Sequence, residues 1–371
     1  MSNTFETSLN LKRTALFETH TSLKGHMVSF TGWELPAYYS SARKEVRAVR
    51  KTAGLFDTSH RAKLRFSGSD AAFFLNRFLS KKVPELDIGQ GQYQIICNEV
   101  GGIIDDAVLY RLGEARFLLL VNASSVKDVL NLVAPYLNNA GNVTLENLTD
   151  QYTMISFQGP QAVDILEDVT PADLQRLKPY RCVETFVAGN DVLLSRTGYT
   201  GEDGFELIFS NKDAESIWTL LMGRGGMACG LLSRDILRLE SGLLLHGNDI
   251  DITVNPFEAK LDEFIELDKE DYIAGAALQQ IRNKGISRTI IGLTLKEREI
   301  ARRSYEIMYK KKPIGKVTSG TFSPTIEESI CLGYVPLEYA LPGTKLQIKI
   351  KDVLVNARVV ALPFYSKVEK V

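Results

Sequence analysis

Apolar and polar positions along the chain form a strand–turn–helix unit that recurs. Phe66-x-Gly68-x-x-Ala71-x-x-x-Leu75 has the same spacing as Phe157-x-Gly159-x-x-Ala162-x-x-x-Leu166, and a third copy that begins at Phe209 has Asn211 in place of glycine. In each copy a short apolar run ends where Gly or Asn can cap a helix, and apolar residues follow at helical spacing. The recurrence predicts an α+β fold of duplicated units, although strand–glycine–helix junctions are common enough to match by chance.

Two further stretches have a β pattern. Residues 93–98 and 103–110 are β-prone runs separated by Gly101-Gly102, which predicts a β-hairpin. After about residue 285, short β-prone runs alternate with turns rich in Pro, Gly, Ser and Lys, which predicts a small all-β domain. We therefore predict an α+β region of two interwoven domains over 17–275 and a barrel-like β domain over 286–371.

The charge balance narrows the classes of function. The 371 residues include 44 Lys+Arg and 45 Asp+Glu, a formal net charge of -1, which argues against a nucleic-acid binder that relies on a strong positive field. No run approaches the ~18 apolar residues that a spanning helix needs, so we expect no membrane association. The four cysteines show no C-x-x-C spacing and indicate buried core residues in a reducing compartment, with no metal site. We expect the cytoplasm, or the mitochondrial matrix in a eukaryote.

Asp105 and Asp106 lie within an otherwise apolar predicted strand. Side chains alternate across a strand, so Asp105 shares a face with Ile103 and Ala107, and Asp106 shares the other with Val108. Because both faces are largely apolar, at least one carboxylate is expected to leave bulk water, which makes it a candidate acid, base or cation stabiliser. An acid that is hydrogen-bonded to a neighbouring loop is the alternative.

The segment from Arg196 to Glu206 combines glycine, acidic and aromatic residues. Gly198, Gly201 and Gly204 indicate a tight loop that lets the backbone approach a ligand closely. Tyr199 offers a flat face, and a carboxylate such as Glu206 can accept two parallel N–H donors, so the segment suits a flat heterocycle. A calcium loop is the rival interpretation, but the acids lack EF-hand spacing.

Seven motifs follow one another along the chain. They are Phe30-Thr-Gly-Trp-Glu-Leu-Pro36, Ala48-Val-Arg-Lys-Thr-Ala-Gly-Leu-Phe-Asp-Thr-Ser-His60, Gly101-Gly-Ile-Ile-Asp-Asp106, Thr197-Gly-Tyr-Thr-Gly-Glu-Asp-Gly-Phe-Glu206, Arg234-Asp-x-x-Arg-Leu-Glu240, Gly247-Asn-Asp-Ile-Asp251 and Val317-Thr-Ser-Gly-Thr-x-Ser-Pro324. Taken together and in this order, they closely resemble the aminomethyltransferase, or T-protein, family of the glycine cleavage system. The resemblance runs from about residue 17 to Pro363-Phe-Tyr365.

The resemblance implies a three-domain cloverleaf around a central folate cavity. It also implies tetrahydrofolate as cosubstrate, a lipoylated H-protein that carries an S-aminomethyl group as donor, and no metal. By the same resemblance Asp105 is the catalytic carboxylate. The residues implied to contact folate are Glu206 and Arg234 and, less directly, Tyr93, Asn122, Tyr199 and Tyr365.

Some positions depart from the family pattern, and other functions remain open. None of the departures is expected to touch Asp105, Glu206 or Arg234. One alternative is a paralogue that demethylates another methylated amine with the same folate cavity. A non-catalytic folate-binding protein of iron-sulfur assembly is a second, although its Lys-Gly-Cys-Tyr-x-Gly-Gln signature is missing. The departures are Val46, Thr58, Arg61, His246, Lys260 and the absence of a tryptophan around Phe264.

Overall fold

The computed structural model describes residues 11–296 and 299–367. The last residues of the predicted 286–371 domain, 368–371, lie outside the described residues. The helices are α1 (Phe17–Ser22), α2 (Ala42–Lys51), α3 (Ala71–Asn76), α4 (Val126–Leu137), α5 (Ala162–Glu167), α6 (Ala214–Gly223), α7 (Leu231–Glu240) and α8 (Gly275–Lys284). The strands are β1 (Lys12–Arg13), β2 (His26–Phe30), β3 (Trp33–Tyr38), β4 (Gly54–Asp57), β5 (Ala62–Ser67), β6 (Gly91–Cys97), β7 (Ile103–Gly113), β8 (Arg116–Val121), β9 (Thr144–Asn147), β10 (Tyr152–Gln158), β11 (Cys182–Val187), β12 (Asn190–Ser195), β13 (Gly204–Ser210), β14 (Met227–Ala228), β15 (Arg288–Leu295), β16 (Glu306–Tyr309), β17 (Lys312–Ser323), β18 (Glu328–Pro336), β19 (Lys345–Ile350) and β20 (Val353–Val360).

These strands form three open sheets and a barrel. The small sheet has the order β1-β3-β2, a five-stranded sheet has the order β6-β7-β8-β5-β9, and a six-stranded sheet has the order β11-β12-β13-β10-β4-β14. The barrel closes in the order β15-β18-β17-β16-β19-β20. The α+β class and the C-terminal barrel predicted from the sequence are therefore confirmed.

The recurring unit corresponds to a strand followed by a helix in each copy. β5 leads into α3, β10 into α5 and β13 into α6. Gly68 and Gly159 do not cap these helices, which is a correction to the sequence interpretation. Each glycine has a positive φ, +122° and +140°, and its carbonyl accepts the N–H three residues later, so it forms the turn before the helix.

Helices cover one face of each large sheet, and the two uncovered faces meet. Asp106 lies on the same strand face as Val108 and Tyr110, and Glu206 lies on the same face as Ile208, by the alternation of side chains. Both acids are therefore directed into the layer between the sheets. That layer is packed by the buried residues Val108, Tyr110, Leu118, Leu120, Met154, Cys182 and Ile208.

The barrel is joined to the rest of the chain by buried polar contacts. Arg238, on α7, donates to Asp249 Oδ2 at 2.6 Å and to Ser319 Oγ of the barrel at 2.8 Å. Thr318 and Tyr334 of the barrel donate to Asp249 as well. These contacts fix the barrel against the segment that follows α7.

Other expectations concern single features. The hairpin 93–98/103–110 is confirmed as β6 and β7, an antiparallel pair. All four cysteines are buried and free, as core residues should be. In the part of the chain that the structure describes, no helix is long and apolar enough to span a membrane.

Candidate active site

Two adjacent carboxylates lie at the start of β7. Asp105 is fully buried, and it accepts hydrogen bonds from the Asn122 side-chain amide at 2.7 Å and the Asn122 backbone N–H at 3.0 Å. Asp106 is 8% exposed and accepts from the Tyr93 hydroxyl at 2.9 Å and the Asn122 amide at 3.0 Å. Both carboxylates have left bulk water, so the prediction that at least one would do so is confirmed.

Burial disfavours the charged form of this pair. It raises the pKa of Asp105 to about 8, helped by the neighbouring charge of Asp106. Burial also raises the pKa of Asp106, although Tyr93 and the guanidinium of Arg61 oppose the rise. Two close carboxylates do not ionise together at low cost, so the pair retains a proton near neutral pH when no ligand is present.

The carboxylate of Glu206, on β13, lies on the opposite side of the same layer. Its Oε2 atom accepts a hydrogen bond from the Thr197 hydroxyl at 2.7 Å, and the residue is 2% exposed. Arg61 Nη1 lies 3.6 Å from Glu206 Oε1. A buried acid and a partly buried arginine thus face each other beside the aspartate pair.

A second arginine, Arg234 of α7, belongs to the same group of charges. Its guanidinium lies over the Tyr199 ring, 4.9 Å from the ring centroid, and its Nη1 atom has no hydrogen-bond partner among the described residues. Burial lowers the pKa of Arg234 to about 10, with Glu206 opposing the change and Arg61 adding to it. The unused donor makes Arg234 ready to bind an acceptor oxygen.

Two glycines of the 196–206 loop are required by packing inside the protein. A Cβ atom on Gly198 would lie 1.9 Å from the Gln158 side chain, and one on Gly201 (φ +74°) would lie 2.1 Å from Ser241 Oγ. These two glycines therefore let the loop pack on neighbouring elements of the protein. The close approach of this loop to a ligand stays a prediction.

Tyr365 lies away from the aspartate pair. Its ring packs against the Arg50 guanidinium, and its hydroxyl is 3.4 Å from Glu202 Oε1. Arg50 in turn donates to both Glu202 and Glu240. The structure brings Tyr93, Asn122 and Asp105 together directly and places Glu206, Arg234 and Tyr199 beside them, whereas Tyr365 belongs to this separate ionic cluster.

Sequence reasoning missed two residues of the site. His246 Nδ1 lies 4.0 Å from Asp105 Oδ1 and is hydrogen-bonded to Ser124 at 3.1 Å. Arg61 lies against Glu206, as described above. The expectation that the departures from the family pattern leave Asp105 and Glu206 untouched is therefore wrong. The signal was present, because both positions are among the departures from the family pattern and both have a basic side chain.

Together these features define a multidomain α+β enzyme with a C-terminal barrel and a buried charged site between two sheets. Comparison of the chain with known protein families agrees with this class. The family description "GCVT N-terminal domain" matches residues 16–269, and "Glycine cleavage T-protein C-terminal barrel domain" matches residues 288–366. The chain belongs to the glycine cleavage T-protein family, and its activity is that of an aminomethyltransferase of the glycine cleavage system.

Individual relatives resemble the chain over nearly its whole length. The aminomethyltransferase of Bacillus subtilis is 39% identical over 363 residues, covering 96% of this chain and 100% of the relative. The aminomethyltransferase of Thermotoga maritima is 39% identical, with coverage of 96% and 98%. The crystal structure of aminomethyltransferase T from Bartonella henselae superposes with a TM-score of 0.90 at 32% identity, covering 96% of this chain and 98% of that one. The demethylase and folate-binding alternatives are not favoured by these names.

Proposed function

We propose that the enzyme transfers the methylene group of an S-aminomethyl-dihydrolipoyl H-protein to tetrahydrofolate and releases ammonia, with Asp105 as the catalytic carboxylate. The observation that carries this proposal is the buried Asp105–Asp106 pair, in which no described basic group donates a hydrogen bond to Asp105. Such a pair favours a cationic ligand, because the cation replaces the proton that the pair otherwise keeps.

The substrate brings that cation. The donor carries CH₂–NH₃⁺ on sulfur, and positive charge spreads to the methylene carbon as ammonia leaves. A fixed carboxylate in a poorly solvated site stabilises this positive charge more in the transition state than in the ground state. Asp105 has the required burial, and the two hydrogen bonds from Asn122 hold its orientation. Asn122 therefore acts through Asp105 as a positioning residue.

The bonds and protons of the transfer balance without a redox partner. Two C–N bonds form between the methylene carbon and two folate nitrogens, while the C–N bond to ammonia and the C–S bond break. The two folate nitrogens lose two protons, of which one goes to sulfur and one to ammonia. In this proposal Asp105 accepts the first proton from the attacking nitrogen and passes it on.

The remaining groups suit the pterin of tetrahydrofolate. Glu206 Oε2 is held by Thr197, which leaves Oε1 as an acceptor for ring N–H groups. Arg234 has an unused donor for a folate oxygen, and the Tyr199 ring beside it offers a stacking surface. Tyr93 contacts the pair from the β6 side. Tyr365, in the neighbouring ionic cluster, would meet the distal part of folate.

The carrier protein and the cellular location that we propose both follow from the glycine cleavage system. A lipoylated H-protein is the partner that presents an aminomethyl group on a flexible arm able to reach a buried carboxylate. The relatives named above are bacterial proteins, which supports the cytoplasm as the location.

The test is a reconstituted transfer. Purified enzyme is incubated with tetrahydrofolate and aminomethylated H-protein, and methylenetetrahydrofolate and ammonia are measured together. Equal formation of both products supports the proposal. Binding of tetrahydrofolate without formation of either product would contradict it and would favour a non-catalytic folate-binding role.

A further inference from the structure

Backbone hydrogen bonds fix the position of Arg61. It follows the turn between β4 and β5, where its N–H donates to Thr58 O at 3.0 Å and its carbonyl accepts from the buried Lys63 ammonium at 2.9 Å. Thr58 is in turn bonded to Met154 O on β10. A turn that is bonded on three sides fixes the direction in which the Arg61 side chain leaves the backbone.

The guanidinium of Arg61 has donors to spare. Its side chain is 13% exposed. Its two contacts with acceptors are long: Nη2 lies 3.5 Å from Leu120 O, and Nη1 lies 3.6 Å from Glu206 Oε1. The Nε atom is buried and has no hydrogen-bond partner among the described residues. A buried donor without a partner costs free energy unless a ligand satisfies it, so the site is incomplete as it stands.

Glu206 supplies an acceptor next to those donors. Its Oε2 is used by Thr197, whereas Oε1 faces Arg61 at a distance beyond an ordinary hydrogen bond. An acceptor oxygen and a guanidinium donor side by side complement a ligand that presents an N–H group next to a carbonyl, as a cyclic amide does.

We propose that Arg61 and Glu206 together recognise the cyclic amide edge of the pterin, with Glu206 accepting from the ring N–H and Arg61 donating to the 4-oxo group. This inference rests on the proposed function and extends it. Arg61 is one of the positions at which this chain departs from the family pattern, so the recognition is a property of this chain. Arg61 is thus a specificity-determining residue that contacts the cosubstrate.

The rival role for Arg61 is that of a counter-ion that only balances Glu206. The two roles differ in which ligands they distinguish. A counter-ion affects all pterins alike, whereas a donor to the 4-oxo group favours tetrahydrofolate over its 4-amino-4-deoxy analogue, because a 4-amino group presents a donor to a donor.

The experiment measures the Kd of both ligands by anaerobic calorimetry. The variants are Arg61→Met, Arg61→Lys and the control Arg65→Met, which removes a half-buried arginine of β5 that is paired with Glu146. We expect Arg61→Met to lose roughly tenfold to a hundredfold in affinity for tetrahydrofolate and much less for the 4-amino analogue. Arg61→Lys should retain part of the preference, and Arg65→Met should retain all of it.

The outcomes separate this inference from the proposal on which it rests. If the unaltered enzyme binds tetrahydrofolate and Arg61→Met keeps the same ratio of the two Kd values, the inference is wrong and the proposed function stands. If the unaltered, folded enzyme binds neither ligand, both are wrong. Should Arg61→Met fail to fold, an unchanged ratio in Arg61→Lys with a separately measured melting temperature equal to that of the parent overturns the inference in the same way.

Discussion

Asp105 and Asp106 are neighbours in sequence but have different partners. Asp105 accepts two hydrogen bonds from Asn122, whereas Asp106 accepts from Tyr93 and Asn122 and is influenced by the charge of Arg61. Asp105 is therefore the carboxylate with fewer charges to compensate it. This difference, at the scale of single residues, is what assigns it the reactive role in our proposal.

The first prediction separates binding from chemistry at Asp105. Asp105→Asn keeps the size and an acceptor oxygen but removes the negative charge, so the developing cation is no longer stabilised. We expect turnover to fall roughly a hundredfold while the Kd for tetrahydrofolate changes little. Steady-state kinetics and calorimetry on the same preparation measure the two effects.

Glu206→Ala is the matched comparison for that experiment. It removes an acceptor for ring N–H groups, so its main effect should be on the Kd for tetrahydrofolate. Normal turnover by Asp105→Asn, or a loss of tetrahydrofolate binding in a folded Asp105→Asn protein, would contradict the role given to Asp105.

The second prediction concerns stability and pH. The pKa of Asp105 is about 8 in the folded protein and about 4 in an unfolded chain, so the folded state holds a proton that the unfolded state releases between these values. The free energy of unfolding should therefore fall as pH rises through this window, by at most about 1.4 kcal/mol per pH unit for one group. Asp105→Asn should flatten the decrease.

Denaturant titrations at several pH values between 5 and 8 measure this effect. The buried Lys63, whose pKa burial lowers to about 7, acts in the opposite direction and only above pH 7. Because Lys63 is present in both proteins, the difference between the parent and Asp105→Asn reports the titration of the Asp105–Asp106 pair. Parallel pH profiles would show that the pair holds no extra proton at neutral pH in the folded, ligand-free protein.

At the scale of elements, one glutamate joins a helix to two other segments. Glu45 of α2 is fully buried and accepts four hydrogen bonds, from the N–H groups of Tyr39, Ser40 and Gly230 and from the Ser233 hydroxyl. Gly230 is the N-cap residue of α7, the helix that carries Arg234. One carboxylate thus fixes the start of α7 against α2 and the end of β3.

The third prediction tests this connection. Glu45→Gln places an amide NH₂ among backbone donors, so at least one of the four donors loses its acceptor. We expect the free energy of unfolding to fall by about 2–4 kcal/mol, because the acceptor is buried and charged. Chemical denaturation measures the change.

Glu215→Gln in α6 is the control for the same chemical change at an exposed position, and it should cost no more than about 0.5 kcal/mol. Equal effects of the two substitutions would mean that the buried bonds of Glu45 contribute nothing beyond the charge itself.

At the scale of the whole molecule, the barrel is attached through a buried ion pair, Arg238–Asp249, which barrel residues distant in sequence contact. Arg238 and Asp249 are almost completely buried, and barrel residues donate to Asp249 from β17 and β18. Arg238 has a second carboxylate partner, Asp235, which is about half exposed. The same arginine therefore has one buried and one solvated partner.

The fourth prediction uses that difference. Asp249→Asn leaves a buried guanidinium without its close counter-charge and should destabilise the protein by about 3–5 kcal/mol. Asp235→Asn, which removes the solvated partner, should cost no more than about 1 kcal/mol. Calorimetry should also show whether the barrel unfolds separately in Asp249→Asn.

A single cooperative transition with unchanged midpoint in Asp249→Asn would contradict this account. So would equal losses in the two variants, because both charges would then be equally screened by water.

The sequence by itself determined the local order of the chain. Strand alternation, helical spacing and turn residues act between near neighbours, so the recurring strand–turn–helix unit, the β6–β7 hairpin and the C-terminal β region could be predicted. The motif that contains Asp105 and Asp106 also predicted that at least one of the two carboxylates leaves bulk water, since apolar residues occupy both faces of that strand.

Only the tertiary structure decided which distant residues meet. Arg61 and Glu206 are far apart in sequence, as are Asp105 and His246, and no periodic pattern links side chains across separate elements. The packing of two sheets face to face brings the first pair together, and the segment after α7 brings the second. The same reason explains why Tyr365 lies with Arg50 and Glu202, and why the loop glycines pack against protein: the shape of the folded interior, not the local sequence, sets which groups leave water together.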